Sequence, residues 1–153
     1  MKALVIVDMQ EDYIGKNAKY NFSNKKELIE KINIRINEYK EKGNKIIYVK
    51  NNRKNNFSNF VTGLNIESNL IFEKISSSCY SSTEFCDCLK SNNISEIEIA
   101  GIDGNCCVKS TAIDAVKNNI KATVPIDLVG VINTTRFSKT IEKFKEKNVK
   151  IEL

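Results

Sequence analysis

The 153-residue chain contains no histidine and only one proline, Pro125. A catalytic site in this protein therefore cannot use an imidazole base, and a zinc site built from cysteine and histidine is excluded. Pro125 cannot donate a hydrogen bond to a neighbouring strand, so it marks the end or the edge of a strand. Acyl-transfer chemistry here would have to rely on carboxylates, amines and thiols.

Long apolar segments are also absent. The longest apolar runs, at 3–7 and 45–49, have the length of a strand and are far too short to span a membrane. The N-terminus does not have the pattern of a signal peptide. We therefore expect a cytoplasmic protein with no membrane partner, and the length predicts a single domain over residues 1–153.

Cysteine and charge exclude further classes. Five cysteines, an odd number, occur without an export signal, which argues against a disulfide framework. The formal charge of +5 comes from 24 basic and 19 acidic residues, and the basic residues are spread over predicted helix faces. This is typical of a solvated surface and not of the basic stripe that binds nucleic acid. We expect no nucleic-acid partner, no structural zinc and no cofactor.

Apolar runs alternate along the chain with segments of helical period. The predicted strands are 3–7, 45–49, 70–72, 96–100, 121–126 and 149–152, and the predicted helices are 27–42, a helix after Ser81, 107–117 and a helix after Thr134 or Thr135. This alternation predicts a three-layer α-β-α sandwich with a mainly parallel, doubly wound sheet of about six strands. Residues 50–69 have no clear period, which favours a lid or a binding loop.

Helix starts can be read from short polar motifs. Asn24 with Glu27, and Ser81 with Glu84, resemble capping boxes. The last helix can be capped by either threonine of the pair at 134–135. These motifs place the boundaries of the predicted helices.

Three side chains with useful chemistry follow predicted strands. Asp8 ends the first apolar run, Lys74 follows the strand at 70–72, and Cys107 follows a tight turn at the start of a helix. Open α/β sheets bind ligands at the carboxyl ends of their strands, so these three groups can meet there. The helix N-terminus and the ammonium would lower the pKa of the Cys107 thiol, and Asp8 could transfer its proton. Taken singly, each residue also has an ordinary structural explanation as a turn former, a solvated lysine or a buried thiol.

In order and in wording, these stretches resemble the isochorismatase-like cysteine hydrolases, the superfamily that includes nicotinamidases. The resemblance runs essentially the full length of the chain, through Asp8 to Tyr13 (DMQEDY), Lys74 and Cys107 to Ala115 (CVKSTAIDA). It implies that Asp8, Lys74 and Cys107 form the catalytic set. Because the family places a valine directly after its nucleophile, the pattern selects Cys107 over Cys106.

The resemblance carries further expectations. It implies that the backbone N–H groups of Asp103 and Cys107 bind the oxyanion, and that the peptide bond between Ile102 and Asp103 is cis. We expect Tyr13, Tyr80 and Ile102 to line the substrate pocket. Because family members are commonly dimers or larger, it also implies a homo-oligomer.

Two features depart from the family's pattern. Nicotinamidases hold a metal with an aspartate and two histidines, whereas this chain has no histidine and no such cluster at 50–57. The pair Asp103-Gly104 stands where the family usually has a small or apolar residue followed by threonine. A carboxylate beside a developing negative charge would slow the reaction or suit a cationic substrate.

Together these inferences predict a metal-independent cysteine hydrolase that cleaves a C–N bond of a small amide or ureido compound through an acyl-Cys107 intermediate. The alternative is a catalytically weak or inactive family member that binds a small molecule or a protein partner in the same crevice. A thiol sensor using Cys106 and Cys107 ranks last, because adjacent cysteines form a disulfide only with strain.

Overall fold

Six parallel strands form one sheet at the centre of the molecule. The computed structural model describes residues 1–52 and 58–153. The strands are β1 (Lys2–Val7), β2 (Lys45–Asn51), β3 (Ile71–Lys74), β4 (Glu96–Gly101), β5 (Lys121–Pro125) and β6 (Lys150–Glu152). They lie in the order β3-β2-β1-β4-β5-β6, and every neighbouring pair is parallel. The direction of winding reverses between β1 and β4, which confirms the predicted doubly wound sheet.

Helices cover both faces of the sheet. They are α1 (Glu11–Ile14), α2 (Lys25–Glu41), α3 (Thr83–Ser91), α4 (Cys107–Lys117) and α5 (Thr134–Glu146), with short 3₁₀ turns at Cys79–Ser81 and Ile126–Leu128. Apolar residues of α3, α4 and α5 join one buried cluster, and those of α2 join the other. These two clusters and the sheet between them make the three predicted layers.

Strand β1 explains why both faces must be covered. Its alternate residues point to opposite faces: Ala3, Val5 and Val7 belong to one cluster, and Leu4 and Ile6 belong to the other. All five are at most 1% exposed. A continuous apolar run is therefore what a central parallel strand requires.

The predicted helix caps are wrong at three positions. Asn24 has a left-handed backbone, φ 56°, and makes no capping bond, because a cap needs extended backbone to direct its side chain at the helix. Ser82 replaces Ser81 as the cap of α3, since Ser81 belongs to the preceding 3₁₀ turn. Asn133 replaces Thr134 or Thr135 at α5: its side chain accepts the N–H of Arg136 at 2.9 Å, and both threonines lie inside the helix.

The segment predicted as a lid or binding loop falls partly outside the described residues, which exclude 53–57 and therefore Phe57. In its described part, Val61 N–H donates to Met9 O at 2.9 Å, and both Val61 and Leu64 are buried. This part is anchored beside the end of β1. Within residues 1–52 and 58–153, no helix is long and apolar enough to cross a membrane.

Gly101 brings the end of β4 against the end of β1. Its φ is +116°, and a Cβ atom at this position would lie 2.2 Å from Val7 O. Ile102 N–H also donates to Val7 O, at 3.1 Å. A residue without a side chain is therefore required where the chain leaves β4 and turns over the carboxyl end of β1.

We expect Gly101→Ala to lower the free energy of unfolding by more than about 3 kcal/mol, because it adds a backbone clash to an unfavourable φ. Gly43→Ala is the matched control: Gly43 has φ +69° but no atom near the added Cβ, so the loss should stay at about 1–2 kcal/mol. Urea unfolding of both variants measures the difference. Equal losses would contradict the close approach at Gly101.

Candidate active site

Asp8, Lys74 and Cys107 are held by three different elements at the carboxyl edge of the sheet. Asp8 directly follows β1 with φ +55°, and its N–H donates to Val49 O at 3.0 Å. Lys74 is the last residue of β3, and Cys107 is the first residue of α4. Lys74 is 0% exposed, Asp8 4% and Cys107 9%. A charged pair and a thiol are thus removed from bulk water.

The Lys74 ammonium contacts both other groups. Its Nζ lies 3.2 Å from Asp8 Oδ2 and donates to Cys107 Sγ at 3.3 Å. A third bond goes to Ser76 O at 3.1 Å. The structure therefore brings together the three residues that the sequence pattern singled out.

The segment after Lys74 is fixed against α4. Cys79 N–H donates to the hydroxyl of Thr111, one turn into α4 from Cys107, at 3.0 Å. Ser78 caps the 3₁₀ turn by accepting Tyr80 N–H at 3.2 Å. These bonds tie the chain that carries Lys74 to the helix that carries Cys107.

The charges of the ion pair act on the thiol in opposite directions. Burial, together with the Asp8 carboxylate, raises the pKa of the Cys107 thiol to about 12, although Lys74 opposes the rise. Burial by itself would lower the pKa of Lys74, but Asp8 and then Cys107 raise it above its ordinary value. The resting state is a protonated thiol beside an ion pair. This differs from the lowered thiol pKa expected from the sequence, because burial and the adjacent carboxylate outweigh the ammonium.

The turn between β4 and α4 presents two backbone donors. The peptide bond between Ile102 and Asp103 is cis. Within the described part of the chain, the N–H groups of Asp103 and Cys107 donate to no protein acceptor, whereas the N–H groups of Asn105, Cys106 and Val108 all bond to Asp103. Two donors next to the thiol are therefore available to a ligand.

Packing beneath this turn explains Gly104. A Cβ atom there would lie 2.6 Å from Val131, 2.8 Å from Val129 and 2.9 Å from Phe137. Asn105 secures the next position, because its side chain accepts from Thr140 at 2.6 Å and donates to Asn133 O at 2.9 Å. The turn is fixed from below by apolar contact and by buried hydrogen bonds.

A cavity of about 920 Å³ opens onto these groups. Its walls include Asp8, Cys107, Asp103, Cys106, Ile102, Tyr13, Tyr20, Phe22, Glu11, Asp12, Lys16, Lys19, Asn51 and Ile132. Of the three residues expected in the substrate pocket, Tyr13 and Ile102 line this cavity. Tyr80 lies elsewhere: its ring packs edge-on against Phe85, with centroids 5.5 Å apart.

Sequence reasoning missed two buried polar residues at this edge. Asn51 ends β2 and lines the cavity, and Gln10 binds it: the side chain of Gln10 accepts Asn51 N–H at 2.7 Å and donates to Asn51 O at 3.3 Å. Gln10 is 0% exposed. The available signal was position, because Asn51 is a polar residue at the carboxyl end of a strand, as Asp8 and Lys74 are.

The donor set does not fit a metal ion. The whole sequence has no histidine, and the described residues contain no group of three or more cysteine, aspartate or glutamate side chains placed to hold a metal. The carboxylate closest to the thiol, Asp8, is paired with Lys74.

The fold and the cavity define a doubly wound α/β protein with a buried thiol at the switch point of its sheet. The family model of the isochorismatase domain matches residues 2–151, and the chain belongs to this family. No curated protein sequence matches the chain.

Solved structures share the fold at low identity. Pyrazinamidase of Pyrococcus horikoshii, in a complex with zinc, is 22% identical with a TM-score of 0.85, and the match covers 99% of both chains. N-carbamoylsarcosine amidase of Thermoplasma acidophilum is 18% identical with a TM-score of 0.82, covering 99% of this chain and 95% of that one. The nicotinamidase of Staphylococcus aureus is 19% identical with a TM-score of 0.80, covering 99% and 98%.

Asp8 raises the pKa of the Cys107 thiol and Lys74 lowers it. Removing either charge should therefore shift the pH dependence of Cys107 alkylation, and the two shifts should have opposite directions. Asp8→Asn should move the alkylation profile of Cys107 to lower pH by about one to three units, because it removes the negative charge that raises the thiol pKa. Lys74→Met should move the profile to higher pH. Alkylation rates measured against pH, with peptide mapping, give both shifts. Lys121→Met, an exposed substitution at the opposite edge of the sheet, is the control, and equal profiles in all variants would contradict the contact.

Proposed function

We propose that this isochorismatase-family protein is a metal-independent cysteine hydrolase that cleaves a C–N bond of a small amide or ureido compound through an acyl-Cys107 intermediate. The observation that carries the proposal is the contact of one buried ammonium with both a carboxylate and a thiol at the wall of a cavity. An ion pair with a purely structural role would need neither a thiol within hydrogen-bond distance of the ammonium nor a cavity beside it.

In the first step, Cys107 Sγ attacks the carbonyl carbon while its proton passes to Asp8. A thiol with a pKa of about 12 would be ionised in only about one molecule in 10⁵ at pH 7 without such a transfer. Asp8 therefore acts as the general base. Lys74, 3.3 Å from the sulfur, stabilises the negative charge that develops there.

The total charge of the three groups does not change when the proton passes from sulfur to Asp8; the negative charge moves to the carbonyl oxygen as the S–C bond forms. Before transfer, the carboxylate and the ammonium cancel; afterwards, the thiolate and the ammonium cancel. Because a net charge created in a buried site costs several kcal/mol, a transfer inside a neutral group of three avoids that cost. Lys74 stays protonated throughout, consistent with its raised pKa.

The carbonyl oxygen becomes an oxyanion in the tetrahedral intermediate. The N–H groups of Asp103 and Cys107, which bond to no described acceptor, would donate to it. When the C–N bond breaks, the protonated Asp8 gives its proton to the leaving nitrogen. Water then attacks the thioester, Asp8 takes the water proton, and this proton returns to the sulfur as the acid product leaves.

The names of the structural neighbours support the bond type. Pyrazinamidase and nicotinamidase are named for amides, and N-carbamoylsarcosine amidase is named for a ureido compound. Tests should therefore use primary amides and N-carbamoyl amino acids, with release of ammonia as the signal.

The three groups should act as one unit. We expect Asp8→Asn, Lys74→Ala and Cys107→Ala each to lower kcat by at least about 100-fold, because each removes a part of the same proton transfer. Double variants should be little worse than the most severe single variant. Cys86→Ser, which removes a thiol on α3 away from the cavity, is the matched control.

Melting temperatures of the same variants separate catalysis from packing. Losses of turnover that simply follow losses of stability would contradict the proposal. Tight binding of compounds in the cavity with no turnover of either class would instead favour the binding alternative.

Turnover should not depend on a metal ion, because the chain has no histidine and its described residues form no metal site. We expect preincubation with EDTA or 1,10-phenanthroline to leave kcat unchanged. Loss of turnover in chelator that is restored by one divalent metal would overturn this part of the proposal. The nicotinamidase-type enzymes are the appropriate comparison under the same conditions.

A further inference from the structure

We propose that the substrate carries an ammonium or guanidinium group close to its scissile carbonyl, and that the Asp103 side chain binds this cation. The inference rests on the proposed function of Cys107 and adds the class of compound on which it acts. Three features of the cavity support this: the Asp103 carboxylate, an aromatic wall made of Tyr13, Tyr20 and Phe22, and the charges around the opening.

One of the two carboxylate oxygens of Asp103 is available to bind a ligand. Its Oδ1 accepts the N–H of Asn105 at 2.9 Å, which fixes the side-chain orientation. Its Oδ2 makes no hydrogen bond or ion pair with any residue in 1–52 or 58–153. Because Asp103 and Cys107 line the same cavity, a ligand held at the thiol can reach this oxygen.

The position of this carboxylate is unfavourable for an ordinary amide. Asp103 also supplies one of the two N–H groups that face the proposed oxyanion, so its side-chain charge lies near the negative charge that develops there. Like charges at short range raise the energy of that intermediate. A cation on the substrate would neutralise the carboxylate, and a neutral or anionic substrate would not. The same residue therefore favours one charge class and disfavours the other.

The aromatic wall favours the same class. Tyr13 and Tyr20 lie with ring centroids 6.0 Å apart at an angle of 36°, and Phe22 lies on the same cavity. The faces of such rings attract organic cations.

The charges around the opening do not cancel this preference. Lys16 and Lys19 line the cavity, but both are exposed, so solvent and salt screen them more than the half-buried Asp103. Asp12 is exposed and screened in the same way, whereas the half-buried Glu11 adds negative charge beside them. The Glu11 carboxylate accepts both the N–H and the hydroxyl of Thr62 at 2.7 Å, which keeps it ionised.

Matched alkylating agents test the preference without a known substrate. The probes are N-(2-aminoethyl)-2-chloroacetamide, which is a cation, and N-(2-hydroxyethyl)-2-chloroacetamide, which is its neutral counterpart. The protein is the full chain with Cys106→Ser, so that mapped labelling at this turn reports Cys107. We expect the cationic probe to label Cys107 about fivefold faster or more, and Asp103→Asn to bring the ratio of rates close to one.

Two controls make the result specific. The neutral probe is the internal control: Asp103→Asn keeps the oxygen that accepts Asn105 N–H, and any change it makes in the reactivity of the Cys107 thiol itself affects both probes, so the ratio of the two rates is the measured quantity. Asp87→Asn removes the same charge from an exposed position on α3 and should leave the ratio unchanged. An equal rate for both probes in the parent protein, or a ratio that survives Asp103→Asn, would overturn the inference.

A binding measurement separates this inference from the proposed function. The unreactive analogues N-(2-aminoethyl)acetamide and N-(2-hydroxyethyl)acetamide can be titrated into ¹⁵N-labelled protein and followed at the amides of 101–108. Preferential binding of the cation that is lost in Asp103→Asn supports the inference even if Cys107 proves to be no nucleophile. Equal binding of the two analogues overturns it even if amide hydrolysis through Cys107 is established.

Discussion

A fully buried ammonium sets the strongest constraint on this structure. Taking the charge of Lys74 out of water costs several kcal/mol unless acceptors surround it. The acceptors come from the end of β1, the segment after β3 and the start of α4. Strand β2 separates β1 from β3, which places their axes about 10 Å apart. A lysine can cross much of this distance because its charge lies at the end of a four-carbon side chain.

In the proposed mechanism, the same ammonium lets a chain without histidine activate a thiol. An imidazole would combine proton acceptor and positive charge in one ring, whereas in the proposed mechanism Asp8 accepts the proton and Lys74 carries the charge. The presence of a separate carboxylate also affects the protonation of the Cys107 thiol before a substrate binds. Burial and the Asp8 carboxylate raise the pKa of the Cys107 thiol to about 12, so the thiol is protonated at neutral pH before a substrate binds.

The sequence predicted the fold because its signals were local and repeated. Apolar runs such as 3–7 alternate with helical periods, and this alternation determines a parallel sheet with covered faces. It predicted which three residues meet because strand ends share one edge. It could not predict the direction of the Cys107 pKa shift, which depends on burial and on an oxygen brought from β1. The helix caps failed for a similar reason: the backbone angle at Asn24 decides whether its side chain can cap, and composition does not reveal that angle.

In the turn between β4 and α4, Gly104 and Asn105 have structural roles, and Asp103 is the residue proposed to recognise a ligand. Gly104 has no room for a side chain above Val131, and Asn105 is committed to Thr140. Both positions are fixed by packing beneath the turn, which in turn fixes the N–H groups of Asp103 and Cys107. Asp103 lines the cavity; its Oδ1 accepts Asn105 N–H within the turn, whereas its Oδ2 makes no hydrogen bond or ion pair with any described residue. Asp103→Asn would keep the oxygen that accepts Asn105 N–H and remove only the charge, so under the proposed inference it should change which ligands are accepted while the backbone donors stay in place.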